Sequence, residues 1–383
     1  MLRNKKIIAV VTGSRAEYGY LRPLIKEMIK DRNIKTRLYV CGVHLVKSYG
    51  YSVTDIIKDG FNITNKVEMT VKDSNNPYDL AISIAAGIEG FAKNFKDSRP
   101  DILVVFGDRI EPFAAAIAAA SMDIPIAHIS GGEVGLGDID DNLRHAITKL
   151  AHLHFTSSRL SKERVLKLGE EPWRVFQVGA LSLDTILNTK LISKNYFHKK
   201  YYFSDKPFIL ISYQPVTTEW RDARKQITMI LESAMEITKK EKMTIIVLYP
   251  NPYPGGFQIM QAIKKFTRNN KNIIAFKNFP HLEFISLMSI SSVLVGNSSS
   301  GIIEAPSLGV PYVCVGTRQK GREKGNNVID VSYSKEKIKF GIKKALFDRK
   351  FLNLVEKRKN IYGDGKAAQR IVKILKKIRK VKS

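Results

Sequence analysis

The chain has 383 residues, more than one ordinary hydrophobic core serves, which predicts two domains. With 44% hydrophobic and 26% charged residues and no apolar run of bilayer length, composition excludes a disordered, fibrous or membrane-spanning chain. The formal net charge of +27 is dispersed over lysine-rich surface helices and a basic tail (Lys376, Lys377, Arg379, Lys380, Lys382), with no aromatic stacking motif or zinc spacing beside it. It reads as a solvated surface that attracts anions, with no nucleic-acid interface and no membrane contact.

In chain order, Lys6–Thr12 is an apolar run too short for a secretory signal and suited to a first buried strand. The loop Gly13-Ser-Arg-Ala-Glu-Tyr-Gly19 follows, ahead of a helix near Leu21–Ile29. It lacks the Gly-x-Gly-x-x-Gly spacing of a dinucleotide site, but a small-residue loop carrying Arg15 suits a phosphate or a departing negative charge. The bland alternative is Arg15 paired with a surface carboxylate. A second strand, Arg37–Gly42, leads to His44, either a site residue or a satisfied core histidine. The cysteines Cys41 and Cys314 end separate strands, giving neither a disulfide framework nor a metal cluster, so a reducing cytoplasm is expected. The strand Asp101–Gly107 is tipped by Asp108 and Arg109 before a helix over Glu111–Ser121. Asp108 is a candidate acid or base, or else the cap of that helix.

The strand Ile124–Ser130 ends in Gly131-Gly132-Glu133, and Asp138, Asp140, Asp141, Arg144 and His145 follow. Asp141, Arg144 and His145 stand at i, i+3 and i+4, one face of a helix. This concentrates carboxylates, a cation and an imidazole near one strand end. No spacing here is diagnostic of a metal, and none is expected. A strand over His154–Ser157 follows, and the polar, lysine-rich stretch Leu181–Ser204 reads as an interdomain connection.

A second series of strands follows: Phe208–Tyr213, Thr244–Tyr249, Ile273–Phe276, Ser292–Gly296 and Pro311–Gly316. Helices near Arg221–Lys239, Phe257–Phe266, Leu282–Ser289 and Gly301–Leu308 separate them. The strand ends carry Gln214-Pro-Val-Thr-Thr-Glu219, Tyr249-Pro-Asn251, Gly296-Asn-Ser-Ser-Ser-Gly301 and Gly316-Thr-Arg-Gln-Lys-Gly-Arg322. A strand running through small hydroxyl residues into a helix offers backbone N–H groups and a positive dipole end to an anion. Ser298 and Ser299 add short donors, Glu304 an acceptor for sugar hydroxyls, and Arg318 a forked cation for phosphate. The group points to a diphosphate joined to a sugar.

The alternation of strand and helix predicts an α/β protein. Its architecture is two doubly wound, Rossmann-like parallel-sheet domains facing a cleft, with ligands beyond the carboxyl ends of strands. The expected divisions are 1–185, 186–365, and a terminal helix within 366–383 that packs back on the first domain.

Taken together, these motifs resemble the hydrolysing UDP-N-acetylglucosamine 2-epimerases of sialic-acid synthesis and their relatives in nonulosonic acid synthesis. The resemblance spans nearly the whole chain. It rests on Val11–Gly19, Gly107-Asp-Arg109, His128-Ile-Ser-Gly-Gly-Glu133, the run Asp140–Lys149, and the two loops Gly296–Gly301 and Gly316–Arg322. It implies a GT-B-like fold and release of UDP and N-acetylmannosamine from UDP-N-acetylglucosamine. Anti elimination to a glycal comes first and hydration follows, with no redox cofactor or essential metal. Residue by residue, it implies that Asp108 and Asp140 are catalytic acids or bases, with Glu133 and Asp141 beside them. Arg15, His44 and Arg144 would surround the diphosphate and sugar. Ser298, Ser299, Glu304 and Arg318 would hold the nucleotide, with Asn251 close by. By the same analogy the protein is a homo-oligomer, a dimer or tetramer.

Two positions depart from the family. Ser130 stands where glutamate or histidine is common, and Gln214 where histidine is usual, near the nucleotide. These departures leave open the same reaction on a UDP- or GDP-linked 2,4-diacetamido-2,4,6-trideoxyhexose, the legionaminic acid branch. A non-hydrolysing epimerase and a GT-B glycosyltransferase share the fold and remain alternatives. So does a non-catalytic nucleotide-sugar sensor.

Overall fold

The computed structural model describes residues 5–47, 50–69, 77–135, 139–203, 205–250, 254–277 and 279–378. Asp138 and Asn251 lie outside them, as does the side chain of Asp140. The chain forms two compact units. The first comprises Met1–Glu133, Ile139–Thr185 and Tyr362–Ser383, the second Val134–Asp138 and Ile186–Ile361.

In the first unit the strands are β1 (Lys6–Thr12), β2 (Ile34–Cys41), β3 (Ile63–Val67), β4 (Ile102–Phe106), β5 (Ile126–Ile129), β6 (Leu153–Thr156) and β7 (Val175–Gln177). They form one parallel sheet in the order β3-β2-β1-β4-β5-β6-β7. The second unit holds β8 (Phe208–Ser212), β9 (Thr244–Leu248), β10 (Ile273–Phe276), β11 (Val293–Gly296), β12 (Tyr312–Val315) and β13 (Val328–Val331), parallel in the order β10-β9-β8-β11-β12-β13. The central strands are almost wholly buried, as in Ile-Leu-Val-Val of β4 and Phe-Ile-Leu-Ile-Ser of β8, because helices cover both faces of a parallel sheet. Each order reverses once, between β1 and β4 and between β8 and β11. Loops leaving the carboxyl ends there diverge and open a crevice.

Several expected elements shift. The second strand begins at Ile34 and stops at Cys41, because Gly42 takes a φ of +59° and opens a 3-10 turn. The stretch read as a polar connection is instead two helices, Leu181–Asn188 and Lys194–Tyr201, with Leu181, Leu183, Ile186 and Phe197 buried. The lysines fall within and just before the second helix, while the first, Leu181-Ser-Leu-Asp-Thr-Ile-Leu-Asn188, contains none and buries its apolar positions. β3, β7 and β13 were not expected at all.

The C-terminal helix, Ala367–Lys377, lies in the first unit against Arg15–Lys30, where Ile371, Val372 and Leu375 join the core of Leu21, Leu24 and Met28. Its first turn is capped from a distant segment: Asp184 accepts from the Ala367 and Ala368 amides at 2.9 and 2.7 Å. A carboxylate there satisfies two orphan donors and opposes the helix dipole.

Candidate active site

At the carboxyl end of the first sheet, β4 stops at Gly107, whose φ of +75° turns the chain sharply. His128 on β5 holds this turn. Its Nε2 donates to the Gly107 carbonyl at 2.8 Å, and its Nδ1 hydrogen-bonds Thr148 at 3.1 Å. Burial pushes His128 down to about 3, so it is neutral and serves as a fixed strut. Asp108 follows. It is not the cap of the next helix, a position taken by Arg109. Its carboxylate meets the guanidinium of Arg144, which also donates to Asp141 Oδ1 at 2.8 Å and to the Glu133 carbonyl at 2.8 Å. The Arg144 side chain is only 5% exposed, against 24% and 21% for Asp108 and Asp141. A buried cation thus holds two more accessible carboxylates at one strand end, with His145 3.8 Å from Asp141. The Glu133 carboxylate accepts from the Ser157 hydroxyl at 2.7 Å. Ser130 takes a left-handed φ of +65° at the end of β5, strain of a kind that collects at functional sites.

A second acidic pair lies deeper. Glu17 is 4% and Glu111 1% exposed. Glu17 Oε2 accepts from the Gly13 amide at 2.9 Å, while its Oε1 has no hydrogen-bond partner. Glu111 accepts a bidentate pair from Arg109 at 3.0 Å each and fills the space where side chains on Gly13 and Gly42 would sit. Loops from β1, β2 and β4 are therefore knitted by two carboxyl groups. Burial, and then the charge of Glu111, pushes Glu17 up to about 8. Sequence reasoning passed over both, although Glu17 lies inside the quoted Gly13–Gly19 loop. The available signal was Glu17 as the third residue of a helix capped by Ser14 just past a strand end.

His44 is fully buried, with both ring nitrogens engaged by Thr12 and Ser52 at 3.1 and 2.7 Å, and burial pushes it down to about 4. The structure therefore places it as a satisfied interior residue. Arg15 pairs with Asp55 at 3.1 Å, both side chains nearly half exposed, which is the bland arrangement the sequence allowed.

In the second unit the crevice lies between β8 and β11. Gly296 ends β11 with a φ of +142°, and a side chain there would overlap the Ser212 carbonyl of β8. The next residue, Asn297, is fully buried and reaches across: its Oδ1 accepts from the Gln214 amide at 2.7 Å and its Nδ2 donates to the Gln214 carbonyl at 2.8 Å. The Asn297 carbonyl accepts from Arg318 at 3.1 Å and Gln319 at 2.8 Å. Ser298 and Ser299, half-buried, lead into the short helical turn Ser300–Ile303, and Glu304 sits 2% exposed at the kink before Ala305–Leu308. Glu219 accepts from Thr317 and, at 2.8 Å, from Gln226, which in turn accepts from Tyr213 at 2.7 Å. Among the described residues, no group of three or more His, Cys, Asp or Glu is placed to hold a metal, and no helix is long and apolar enough to cross a membrane.

A family model described as UDP-N-acetylglucosamine 2-epimerase matches residues 26–376. The chain is 37% identical over 375 residues to a hydrolysing UDP-N,N'-diacetylbacillosamine 2-epimerase of Legionella pneumophila, covering 98% of this chain and 96% of the relative. It is 35% identical over 380 residues to polysialic acid biosynthesis protein P7 of Escherichia coli, covering 99% and 95%. The solved UDP-GlcNAc 2-epimerase of Neisseria meningitidis, bound to UDP-GlcNAc, superposes with a TM-score of 0.82 at 22% identity over 97% of this chain and all of that one, a likeness of fold: two parallel-sheet α/β domains of the GT-B kind. The chain therefore belongs to the UDP-N-acetylglucosamine 2-epimerase family, among its hydrolysing members, and is an enzyme of that kind.

Proposed function

We propose that this enzyme converts a UDP-linked 2-acetamido sugar into the free 2-epimer and UDP. We take UDP-N,N'-diacetylbacillosamine as the donor and UDP-N-acetylglucosamine as the second reading. The diacetamido donor is supported by the name of the 37% identical relative and by the neutral Gln214 where the family usually has histidine. In the first step a base takes the proton from C2 of the sugar. That electron pair forms the C1–C2 double bond as the C1–O bond breaks and its electrons leave with UDP. In the second step water bonds to C1 and a proton reaches C2 from the opposite face.

The observation that carries this reading is the Asp108–Arg144–Asp141 group at the β4 and β5 ends. Elimination and rehydration need carboxyl groups on both faces of one carbon, each held in place before the sugar arrives. Asp108 is the acid–base group held by Arg144, and Asp140 is the second, assigned by its place in the family motif. Glu133 stands by through Ser157, and Asp141 keeps Arg144 oriented. In the second unit Ser298, Ser299, Glu304 and Arg318 hold the nucleotide. Backbone donors and a guanidinium there stabilise the charge that builds on the departing diphosphate.

Proton NMR in deuterated water, with each donor in turn, tests the proposal. Release of UDP with a free sugar deuterated at C2 and inverted there is the expected result, faster with the diacetamido donor. Label exchange on a sugar that keeps its nucleotide would replace hydrolysis by reversible epimerisation. No turnover of either donor would overturn the reading.

A further inference from the structure

Asn297 occupies an unusual place at the second crevice. Its side chain does not face outward. It is fully buried and runs alongside the backbone of Gln214, giving and receiving one hydrogen bond as a neighbouring strand would. Its own amide donates to the Ser212 carbonyl at 3.2 Å, extending the β8–β11 pairing by one residue past Gly296. Its carbonyl takes both Arg318 and Gln319, filling the two acceptor directions of one oxygen. Three chain segments, leaving β8, β11 and β12, therefore meet at a single amide residue. Only a side chain with one donor and one acceptor at this length completes the set. Aspartate would set an oxygen against the Gln214 carbonyl, and alanine would remove both of these hydrogen bonds.

We propose that Asn297 is the positioning residue of the nucleotide half-site: it sets Gln214 and Arg318 relative to each other, so that the β8 and β12 loops meet the nucleotide as one preformed surface. This rests on reading that edge as the nucleotide site. Asn297 acts through the other loops and needs no contact with substrate. Preorganisation of this kind shows in affinity, because loops ordered in advance lose less freedom on binding.

The test compares the wild-type enzyme with Asn297→Asp and Gln319→Ala by amide hydrogen exchange and by calorimetry with UDP. Gln319→Ala leaves the Gln214 pairing intact and keeps the test open if the aspartate variant does not fold. The expected result for Asn297→Asp is faster exchange in both the 213–217 and 316–320 segments. Its UDP affinity should fall about tenfold to a hundredfold, with KM rising more than kcat falls. For Gln319→Ala, faster exchange is expected in the 316–320 segment, with a smaller loss of affinity. Wild-type exchange in the 316–320 segment of both variants would overturn the inference, as would unchanged UDP affinity. If the wild-type enzyme itself does not bind UDP, the nucleotide reading fails, and the exchange data still decide whether Asn297 couples the loops.

Discussion

The two sheets run in the same order through their first six strands, 3-2-1-4-5-6 counted within each unit, yet finish their crevices with different chemistry. The first unit is held by ionisable groups: Glu17, Glu111 with Arg109, and Asp108 with Arg144 and Asp141. The second is held mainly by neutral amides, with Asn297 on Gln214, Gln319 on Asn297, and Gln226 between Tyr213 and Glu219. On the proposed function, the contrast follows from what each half does. A proton-moving site needs carboxyl groups whose surroundings set their charge. A binding surface is better built from groups that keep the same hydrogen bonds at every pH. Substitutions should therefore act differently in the two units.

The largest effect is expected at Asp108. Asp108→Asn keeps the shape but removes the base, so kcat should fall by about a hundredfold to ten-thousandfold while UDP binding by calorimetry stays within about twofold. Near-normal turnover would sink its role. Next comes Arg144→Met, which removes the buried cation that both Asp108 and Asp141 bind. A loss of about 3–5 kcal/mol is expected in urea unfolding. A loss under about 1 kcal/mol would mean that the group is held by packing instead.

Glu17 sharpens the comparison through pH. The unfolded chain releases this proton near the ordinary value of 4.5, the folded chain at about 8. Between those values the folded state binds more protons than the unfolded, so the Glu17 contribution to stability falls as pH rises and levels off above about 8. The slope is at most about 1.4 kcal/mol per pH unit. Glu17→Gln should match the wild type near pH 5 and exceed its melting temperature near pH 9. His44 and His128 work in the opposite sense, since their folded values are lowered, but both proteins carry them and the difference is unaffected. Parallel melting curves across that range would show that Glu17 is ionised in its buried place.

The smallest effect is set in the second unit. Arg318→Ala should weaken UDP binding by about tenfold with little change in kcat at saturation. A drop in kcat equal to that at Asp108 would erase the division between the units.

The strands that escaped the sequence share one property: β3, β7 and β13 are all edge strands. In Ile-Thr-Asn-Lys-Val of β3 only Val67 is buried, and in Val-Ile-Asp-Val of β13 only Val331. An edge strand lies against fewer covering helices, so its apolar run is broken by polar residues and no longer stands out. The candidate site residues show a similar split. Asp108, Asp141, Arg144, Ser298 and Arg318 were visible because each sits in a short motif at a strand end. The interior roles of Glu17, Glu111 and His128 were not: Glu111 fills the space beside Gly13 and Gly42, Glu17 feels the charge of Glu111, and His128 holds Gly107 and Thr148, all contacts made only when separate strand ends meet.

The sequence by itself determined the alternation of the central strands with their helices and the family motifs, because these depend on local pattern and on spacing within a few residues. Only the tertiary structure decided that His44 is an interior residue, that Arg144 is the buried centre of the acidic group, and that Asn297 joins three loops. Those outcomes depend on which strand ends a doubly wound sheet brings together, and burial and hydrogen-bond partners are set by that meeting and not by the neighbours in sequence.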